Sequence, residues 1–224
     1  MQIEKINYLS DIHIFRDLPP TDLAQMDRQL AMISCAPGKI FYMPEDNGEA
    51  LFLIKRGRVQ LYRLSPGGKK LVVAMLGAGA MFGEMALVGQ GMHSTFAEAL
   101  DECLICVMSR ADVERLVVEK PAVAFRFLEV MGNRVTALES HLEAIAFKSI
   151  SARLASLLLK LAAEQDDNNV VQGYTHQDFS DMLGTYRETI TQTLNDFKGN
   201  GLVEIGRKRI ALLNRTQLEI LGEG

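Results

Sequence analysis

The residues best suited to recognising a ligand lie between positions 175 and 209 of the 224-residue sequence. Arg187 can donate two hydrogen bonds to the edge of one guanine, and the adjacent Glu188 can accept one from the amino group of a cytosine. A basic run, Arg207-Lys208-Arg209, lies between two short apolar runs and is suited to binding phosphate. These residue types are suited to contacts with the bases and phosphates of a nucleic acid.

The residues before Arg187 have the spacing of a short helix that ends in a tight turn. Thr175 can accept a hydrogen bond from the backbone at the start of a helix, and Asp178 follows three residues later, as in a capping box. Gly184 can adopt the left-handed conformation that ends a helix. One face of the predicted helix is apolar and consists of Phe179, Met182 and Leu183.

A second helix is predicted directly after this turn. Thr185 is followed three residues later by Glu188, which predicts another capping box with Thr185 at the N-cap. The inward face of this helix consists of Ile190, Leu194 and Phe197. Next, the runs LVEI and IALL flank the basic residues and predict a β-hairpin. Two helices joined by a glycine turn and followed by a hairpin indicate a winged helix-turn-helix, whose second helix enters the major groove.

A long helix is predicted upstream of this motif. From Ala124 to Ile145, apolar residues recur at alternating spacings of four and three, which is the 3.5-residue repeat of a two-helix coiled coil. We therefore expect a homodimer, in which the seam would place two recognition helices symmetrically. The alternative interpretation is a helix that packs against its own β-domain. The expected seam consists of Leu128, Met131, Val135, Leu138, Leu142 and Ile145.

Residues 33–108 have the pattern of a β-structure. Short β-rich runs such as EALFLIKRG and KKLVVAML alternate with turns that contain glycine, which favours a barrel or a sandwich. We expect an α+β fold with an N-terminal double-stranded β-helix (a β-roll, cupin-like) and flanking helices at 1–121. A long coiled-coil dimerisation helix at 122–147 would join it to a C-terminal winged helix-turn-helix domain at 148–224.

The overall composition is that of a soluble protein and not of a strongly basic nucleic-acid binder. The net charge is -4 and 48% of the residues are hydrophobic, so a DNA-binding surface must come from the local placement of charge. The sequence contains no run of about 18 apolar residues, so it predicts no transmembrane helix. The first residues also lack the apolar core of a secretory signal. We therefore expect a cytoplasmic protein with no membrane partner.

Residue types for metal binding and covalent chemistry are scattered. Cys103 and Cys106 form a CxxC within a predicted strand, where residues three apart point to opposite faces and are not expected to share a metal. The histidines lie in different segments, and no P-loop or serine–histidine–aspartate arrangement is present. We predict no metal site and no enzymatic activity. A redox-sensing role for Cys35 or for the CxxC cysteines is left open as an alternative.

Three segments resemble the CRP/FNR superfamily of transcription regulators, and the resemblance covers nearly the whole chain. They are the FGEMAL segment at 82–87, the long helix at 122–146 and the GTYRETI segment at 184–190. The resemblance implies that Arg187 and Glu188 read bases, and that a third reader, often arginine in the family, is Gln192 here. The operator would be a palindrome related to TGTGA half-sites but different in detail, and RNA polymerase would be a further partner. The residues expected to contact DNA are Thr175, Gln177, Thr185, Tyr186, Arg187, Glu188, Thr191, Gln192, Arg207, Lys208 and Arg209.

The resemblance also implies that the β-roll is a sensory domain. In relatives that bind cyclic nucleotides, the glutamate at the position of Glu84 holds a ribose hydroxyl, and an arginine further along neutralises the phosphate. Here His93 replaces that arginine, and an imidazole lacks the permanent charge and forked geometry of a guanidinium. Leu138 and Glu139 occupy positions where threonine and serine would meet the base. The expected effector pocket comprises Gly83, Glu84, Met85, Ala86, His93, Ser94, Leu138 and Glu139, and cAMP is disfavoured as its ligand.

The effector is left open by the resemblance. The segment Gly91-Met92-His93-Ser94 is similar to the one that bears the haem-binding histidine in the CO-sensing branch, so haem is one candidate. An iron–sulfur cluster would need several N-terminal cysteines, and only Cys35 is available. The favoured interpretation is no small ligand, or one of unknown type, because the nucleotide-binding segment is kept while its phosphate anchor is lost. A cyclic-nucleotide module that binds no DNA is disfavoured by Arg187 and Glu188.

Overall fold

The computed structural model describes residues 9–10, 12–47, 50–84, 94–165 and 167–223. The chain divides into two compact units, one of residues 1–63 and 73–135 and the other of residues 64–72 and 136–224. Three residues of the expected effector pocket, Met85, Ala86 and His93, lie outside the described residues. Within the described ranges, no helix is long and apolar enough to cross a membrane.

Short strands in the N-terminal part form two four-stranded sheets. The strands are β1 (Ala31–Cys35), β2 (Ile40–Tyr42), β3 (Ala50–Arg56), β4 (Val59–Leu64), β5 (Lys70–Leu76), β6 (Met81–Phe82), β7 (Phe96–Ala99) and β8 (Cys103–Ser109). One sheet has the order β1-β8-β3-β6 and the other has the order β2-β7-β4-β5. In the first sheet, β1 and β3 both pair antiparallel with β8. The predicted β-rich N-terminal architecture is confirmed.

Side chains of β3 contribute to two hydrophobic cores in the first unit. Phe52 and Phe82 stack with ring centroids 4.8 Å apart, within the core that also contains Ile54. Leu51 and Leu53 belong to the other core, together with residues of α1 (Pro20–Gln29) and α2 (Arg110–Glu119). Alternate residues of a strand point to opposite faces, so one strand can serve both cores.

A glycine turn places Glu84 in the interior of the first unit. Gly83 directly follows β6 and has a φ of +90°, and a Cβ atom there would lie 2.6 Å from the carbonyl oxygen of Ala50. Glycine is therefore required, both for the backbone conformation and for the close approach. Glu84 comes next and is only 2% exposed.

The buried carboxylate of Glu84 is paired with Arg134 of the long helix α3 (Pro121–Phe147). Arg134 also donates from Nη2 to the carbonyl oxygen of Met81. Burial lowers the pKa of the Arg134 guanidinium, which still stays protonated at neutral pH because the ordinary pKa of arginine is so high. The second carboxylate oxygen of Glu84, Oε2, is buried with no hydrogen-bond partner among the described residues. The ion pair thus ties α3 to the end of β6.

The C-terminal unit contains the predicted winged helix-turn-helix. Its elements are α4 (Ile150–Ala163), β9 (Val170–Gln172), α5 (His176–Leu183), α6 (Arg187–Gly199), β10 (Val203–Gly206), β11 (Arg209–Leu212) and α7 (Arg215–Glu223). The sheet has the order β10-β11-β9. Leu158, Phe179 and Leu194 are buried in one core that joins α4, α5 and α6.

Replacing Arg134 with methionine should lower the free energy of unfolding by about 3–5 kcal/mol, because Glu84 would stay buried without a cation. The double change Glu84→Gln with Arg134→Met should recover most of this loss, since both charges are removed. Urea denaturation would measure both variants. Arg126→Met is the matched control, because within the described part of the chain Arg126 pairs with the exposed carboxylates of Asp17 and Glu129, and this variant should lose much less stability. Equal losses in the two single variants would contradict the role of the buried pair.

Candidate nucleic-acid interface and effector site

The start of α5 is held by the predicted capping box. The hydroxyl oxygen of Thr175 accepts from the backbone N–H of Asp178 at 3.2 Å, and the Asp178 carboxylate accepts from the backbone N–H of Thr175 at 2.6 Å. At the other end, Gly184 has a φ of +64° and caps the helix in the left-handed conformation. The predictions for both ends of α5 are confirmed.

The predicted N-cap of α6, Thr185, is wrong by one residue. Thr185 does not cap this helix, because its backbone N–H donates to the carbonyl oxygen of Ser180 at 3.0 Å and so belongs to the preceding turn. The N-cap is instead Tyr186, whose backbone is extended and whose side chain makes no capping hydrogen bond. The first turn of α6 therefore begins at Arg187.

Helix α6 separates an apolar inner face from a polar outer face. Ile190, Leu194 and Phe197 are buried in the core of the C-terminal unit, as predicted. Arg187 is exposed, and its side chain makes no hydrogen bond or ion pair with any residue in the described part of the chain. The outer face, which borders a shallow groove, consists of Arg187, Glu188, Thr191, Gln192, Asn195 and Asp196. The base-reading side chains expected from the sequence therefore share one accessible surface.

The basic run forms the tip of the β10–β11 hairpin, which makes the wing of the motif. Arg207 and Lys208 lie in the turn, and Arg209 is the first residue of β11; all three side chains are exposed. Lys208 has a φ of +50°, which is unusual for a residue other than glycine. Its carbonyl oxygen accepts a hydrogen bond from Gly173 at 2.9 Å. The basic tip is thus anchored beside the segment that leads into α5.

A cleft of about 450 Å³ lies between the wing and the two helices of the motif. It brings together most of the cationic side chains that were expected to contact DNA, along with His176, which the sequence analysis did not select. Nδ1 of His176 lies 2.9 Å from Oγ1 of Thr191 on α6. Burial, and secondarily the nearby Arg187, lower the pKa of His176. The lining of the cleft includes Thr175, His176, Gln177, Arg187, Lys208 and Arg209.

Lys69 is a second residue that the sequence analysis missed. It lies in segment 64–72, which belongs to the C-terminal unit. Its Nζ donates to the carbonyl oxygen of Gly184 at 2.9 Å and lies 4.1 Å from the centre of the Tyr186 ring. A cation over an aromatic face is attracted by the ring quadrupole. Lys69 therefore contacts the turn between α5 and α6 from outside the predicted motif.

The expected effector pocket is described only in part. Gly83 and Glu84 are buried at the end of β6, and Ser94 is exposed. Arg134, which the sequence analysis did not select, supplies a cation beside Glu84. Leu138 and Glu139 are exposed on α3. Their contribution to an effector site, like those of Met85, Ala86 and His93, stays a prediction.

The cysteines occupy strands and do not form a metal site among the described residues. Cys103 belongs to one core of the first unit and Cys106 to the other, which confirms that they point to opposite faces. Burial raises the pKa of the Cys35 and Cys103 thiols. Thiols with a raised pKa stay protonated at neutral pH and react slowly. No group of three or more histidine, cysteine, aspartate or glutamate residues in the described ranges could hold a metal ion.

Comparison with known proteins finds two family models that match separate parts of the chain. The family model for the cyclic nucleotide-binding domain matches residues 32–120, and the one for the Crp-like helix-turn-helix domain matches residues 152–221. The cyclic AMP receptor protein of Thermus thermophilus is 30% identical over 187 residues, covering 84% of this chain and 86% of its own. The global nitrogen regulator of Synechococcus elongatus is 26% identical over 223 residues, covering 95% and 96%.

Solved structures show the same fold. A transcriptional regulator of the CRP/FNR family from Eubacterium rectale superposes with a TM-score of 0.81 at 24% identity, covering 97% of this chain and 100% of the other. The two matched domains together span more than half of the sequence, and they include both the β-sheets and the winged helix-turn-helix described above. The chain therefore belongs to the CRP/FNR family of DNA-binding transcription regulators and carries a cyclic nucleotide-binding domain.

Proposed function

We propose that the protein is a homodimer that binds a palindromic operator related to TGTGA half-sites and that it does so without cAMP. The observation that carries the proposal is the cleft in which Arg187 lies beside Lys208 and Arg209 of the wing. Cations grouped in this way suit a surface where a phosphate backbone passes while bases are read from the neighbouring groove. Glu188 and Gln192 on the outer face of α6 would read the positions next to the one read by Arg187.

The proposed dimer would form through the apolar stripe of α3. Leu142 is 67% exposed and Leu138 is 55% exposed, and Leu128, Val135 and Ile145 are exposed as well. Met131 is half-buried against a core of the first unit, so it belongs to the seam less fully than the other five. A row of leucines at heptad spacing is covered by an identical row on a second copy of the chain. Two-fold symmetry would place the two α6 helices over half-sites about 34 Å apart.

The proposed independence from cAMP rests on two features of the sensory domain. The position of the phosphate-binding arginine carries His93, which supplies little positive charge at neutral pH. Glu84, the expected ribose contact, is already paired with Arg134. A second candidate is a cAMP-dependent regulator, which is favoured by the name of the Thermus thermophilus relative. Haem bound through His93 is a third, carried only by sequence resemblance.

Transcription regulation also implies where the protein works. Its relatives are bacterial regulators, and bacterial DNA lies in the cytoplasm. A dimer bound at a promoter would lie next to RNA polymerase, which we include among the proposed partners. We assign no catalytic activity to the chain, since its chemistry-bearing side chains serve DNA contact and folding.

Arg187→Ala should weaken binding to the operator by about 1–3 kcal/mol, because one base-reading contact is lost. The operator would first be selected from random duplexes by the wild-type protein. Fluorescence anisotropy would then compare that duplex with a scrambled one. Lys208→Ala is the control, since loss of a phosphate contact should weaken both duplexes alike. If Arg187→Ala also weakened both equally, Arg187 would not be a base reader.

The wild-type protein should bind the selected duplex equally well with and without an excess of cAMP, because the phosphate anchor is missing. The same anisotropy assay measures this, and the visible absorption of the sample tests for haem. Binding that appears only after cAMP is added would establish the second candidate. A Soret absorption band in the purified protein would establish the third.

Leu138→Lys should shift the protein from dimer to monomer, because it places a charge within the apolar seam. Sedimentation equilibrium would measure the change in mass. Val118→Lys is the matched control, since Val118 is 80% exposed on α2 and lies outside the seam. A Leu138→Lys variant that stays as dimeric as the control would rule out this seam.

A further inference from the structure

His176 connects the two helices of the DNA-binding motif through a fixed hydrogen bond. The hydroxyl of Thr191 donates to the carbonyl oxygen of Arg187, one turn earlier on α6, at 3.0 Å. With its hydrogen directed at that carbonyl, the Thr191 oxygen is left as an acceptor for the imidazole, whose Nδ1 lies 2.9 Å away. This pairing favours the neutral tautomer that carries its proton on Nδ1. The other ring nitrogen, Nε2, then carries a lone pair.

The ring of His176 lies in a positively charged setting. Arg187 faces it from α6, and Lys208 and Arg209 line the same cleft from the wing. On its own helix Asp178 lies two residues away in sequence, and its carboxylate already accepts from the backbone and hydroxyl of Thr175. The surrounding charges thus oppose a second proton on the ring, in agreement with the lowered pKa of His176.

DNA would reverse this electrostatic balance. A phosphate that enters the cleft offsets the positive charges of Arg187, Lys208 and Arg209. Its oxygens can also accept a hydrogen bond from a protonated Nε2, and both effects favour the imidazolium form. The Nδ1 hydrogen bond to Thr191 is kept in either state, because Nδ1 carries a proton in both.

We propose that His176 takes up a proton from solvent at Nε2 when a DNA phosphate occupies the cleft, so that operator binding is linked to pH. No covalent bond changes; the proton passes from buffer to the ring and returns on dissociation. The proposal rests on the proposed function, since it requires that the cleft face DNA. Within that function, His176 is a positioning residue for Thr191 and a proton-dependent contact to the backbone.

The expected sign follows from linkage. The pKa of His176 is lowered in the free protein and would be higher in the complex, so binding is favoured at low pH. Affinity should fall as the pH rises from the free to the bound pKa, by up to about tenfold per pH unit for each histidine. A histidine that serves only to hold Thr191 would produce no such slope.

The test is operator affinity by anisotropy from about pH 6 to about pH 8, the range in which histidine titrates. His176→Asn keeps an amide donor near the position of Nδ1 but cannot titrate, so its pH slope should be flatter than that of the wild type. His13→Asn is the matched control, because His13 bonds Glu129 in the first unit, and it should keep the wild-type slope. Calorimetry in two buffers of different ionisation enthalpy should show proton uptake for the wild type and less for His176→Asn.

An unchanged slope and unchanged proton uptake in His176→Asn would overturn this inference alone. If that variant binds no operator, His176→Arg decides the question. Binding by His176→Arg with a flattened pH slope supports the proton-dependent contact, whereas loss of binding by this folded variant too shows that the ring is only structural. A wild-type protein that binds no duplex specifically at any pH, with or without cAMP, would instead refute the proposed function.

Discussion

A carboxylate in the interior of a protein is stabilised by a cation close by, and in this chain that pairing connects the N-terminal sheets to the long helix. Glu84 is buried because Gly83 turns the backbone inward at the end of β6. Arg134 reaches it from α3 and also bonds the backbone of Met81. The position of the helix against this strand is therefore fixed by charge as well as by apolar packing. The exposed leucines of α3 are presented on a helix whose first part is held in this way.

The surface proposed to bind DNA follows a different physical rule, because its positive charge is local. The chain has a net charge of -4, yet the wing tip and the start of α6 place several cations around one cleft. The core beneath α6 leaves only its outer face free. A protein of this kind depends on short-range contacts with phosphate, and little attraction to DNA comes from its overall charge.

Features that depend on neighbouring residues could be predicted from the sequence. The capping box of Thr175 and Asp178 and the glycine end of α5 are determined within one helix, and both were found as predicted. Thr185 was misplaced because its backbone bonds to Ser180 across the turn, which residue spacing does not reveal. The strands of the β-roll were predictable as short runs between turns, but their order in the sheets depends on pairings between distant segments.

The site residues that were missed have partners far away along the chain. Arg134 pairs with Glu84, fifty positions earlier in the sequence. Lys69 donates to the carbonyl oxygen of Gly184, which follows the long helix in the sequence, whereas Lys69 precedes it. His176 could have been found only by knowing that α5 and α6 cross at Thr191. Each has an ordinary residue type in an ordinary local pattern, so the signal lies in the tertiary contacts.

The backbone of Lys208 adopts a conformation that is costly for a lysine. A left-handed lysine costs roughly 1–2 kcal/mol that a glycine would not. Arg207 in the same turn also brings a cation to the tip of the wing, so Lys208 adds a further one there at this conformational cost. Glycine or asparagine would adopt the same conformation at a lower cost. Under the proposed function, the lysine gives up part of the folding stability for a cation placed where DNA would bind, a balance that recurs where stability and activity compete.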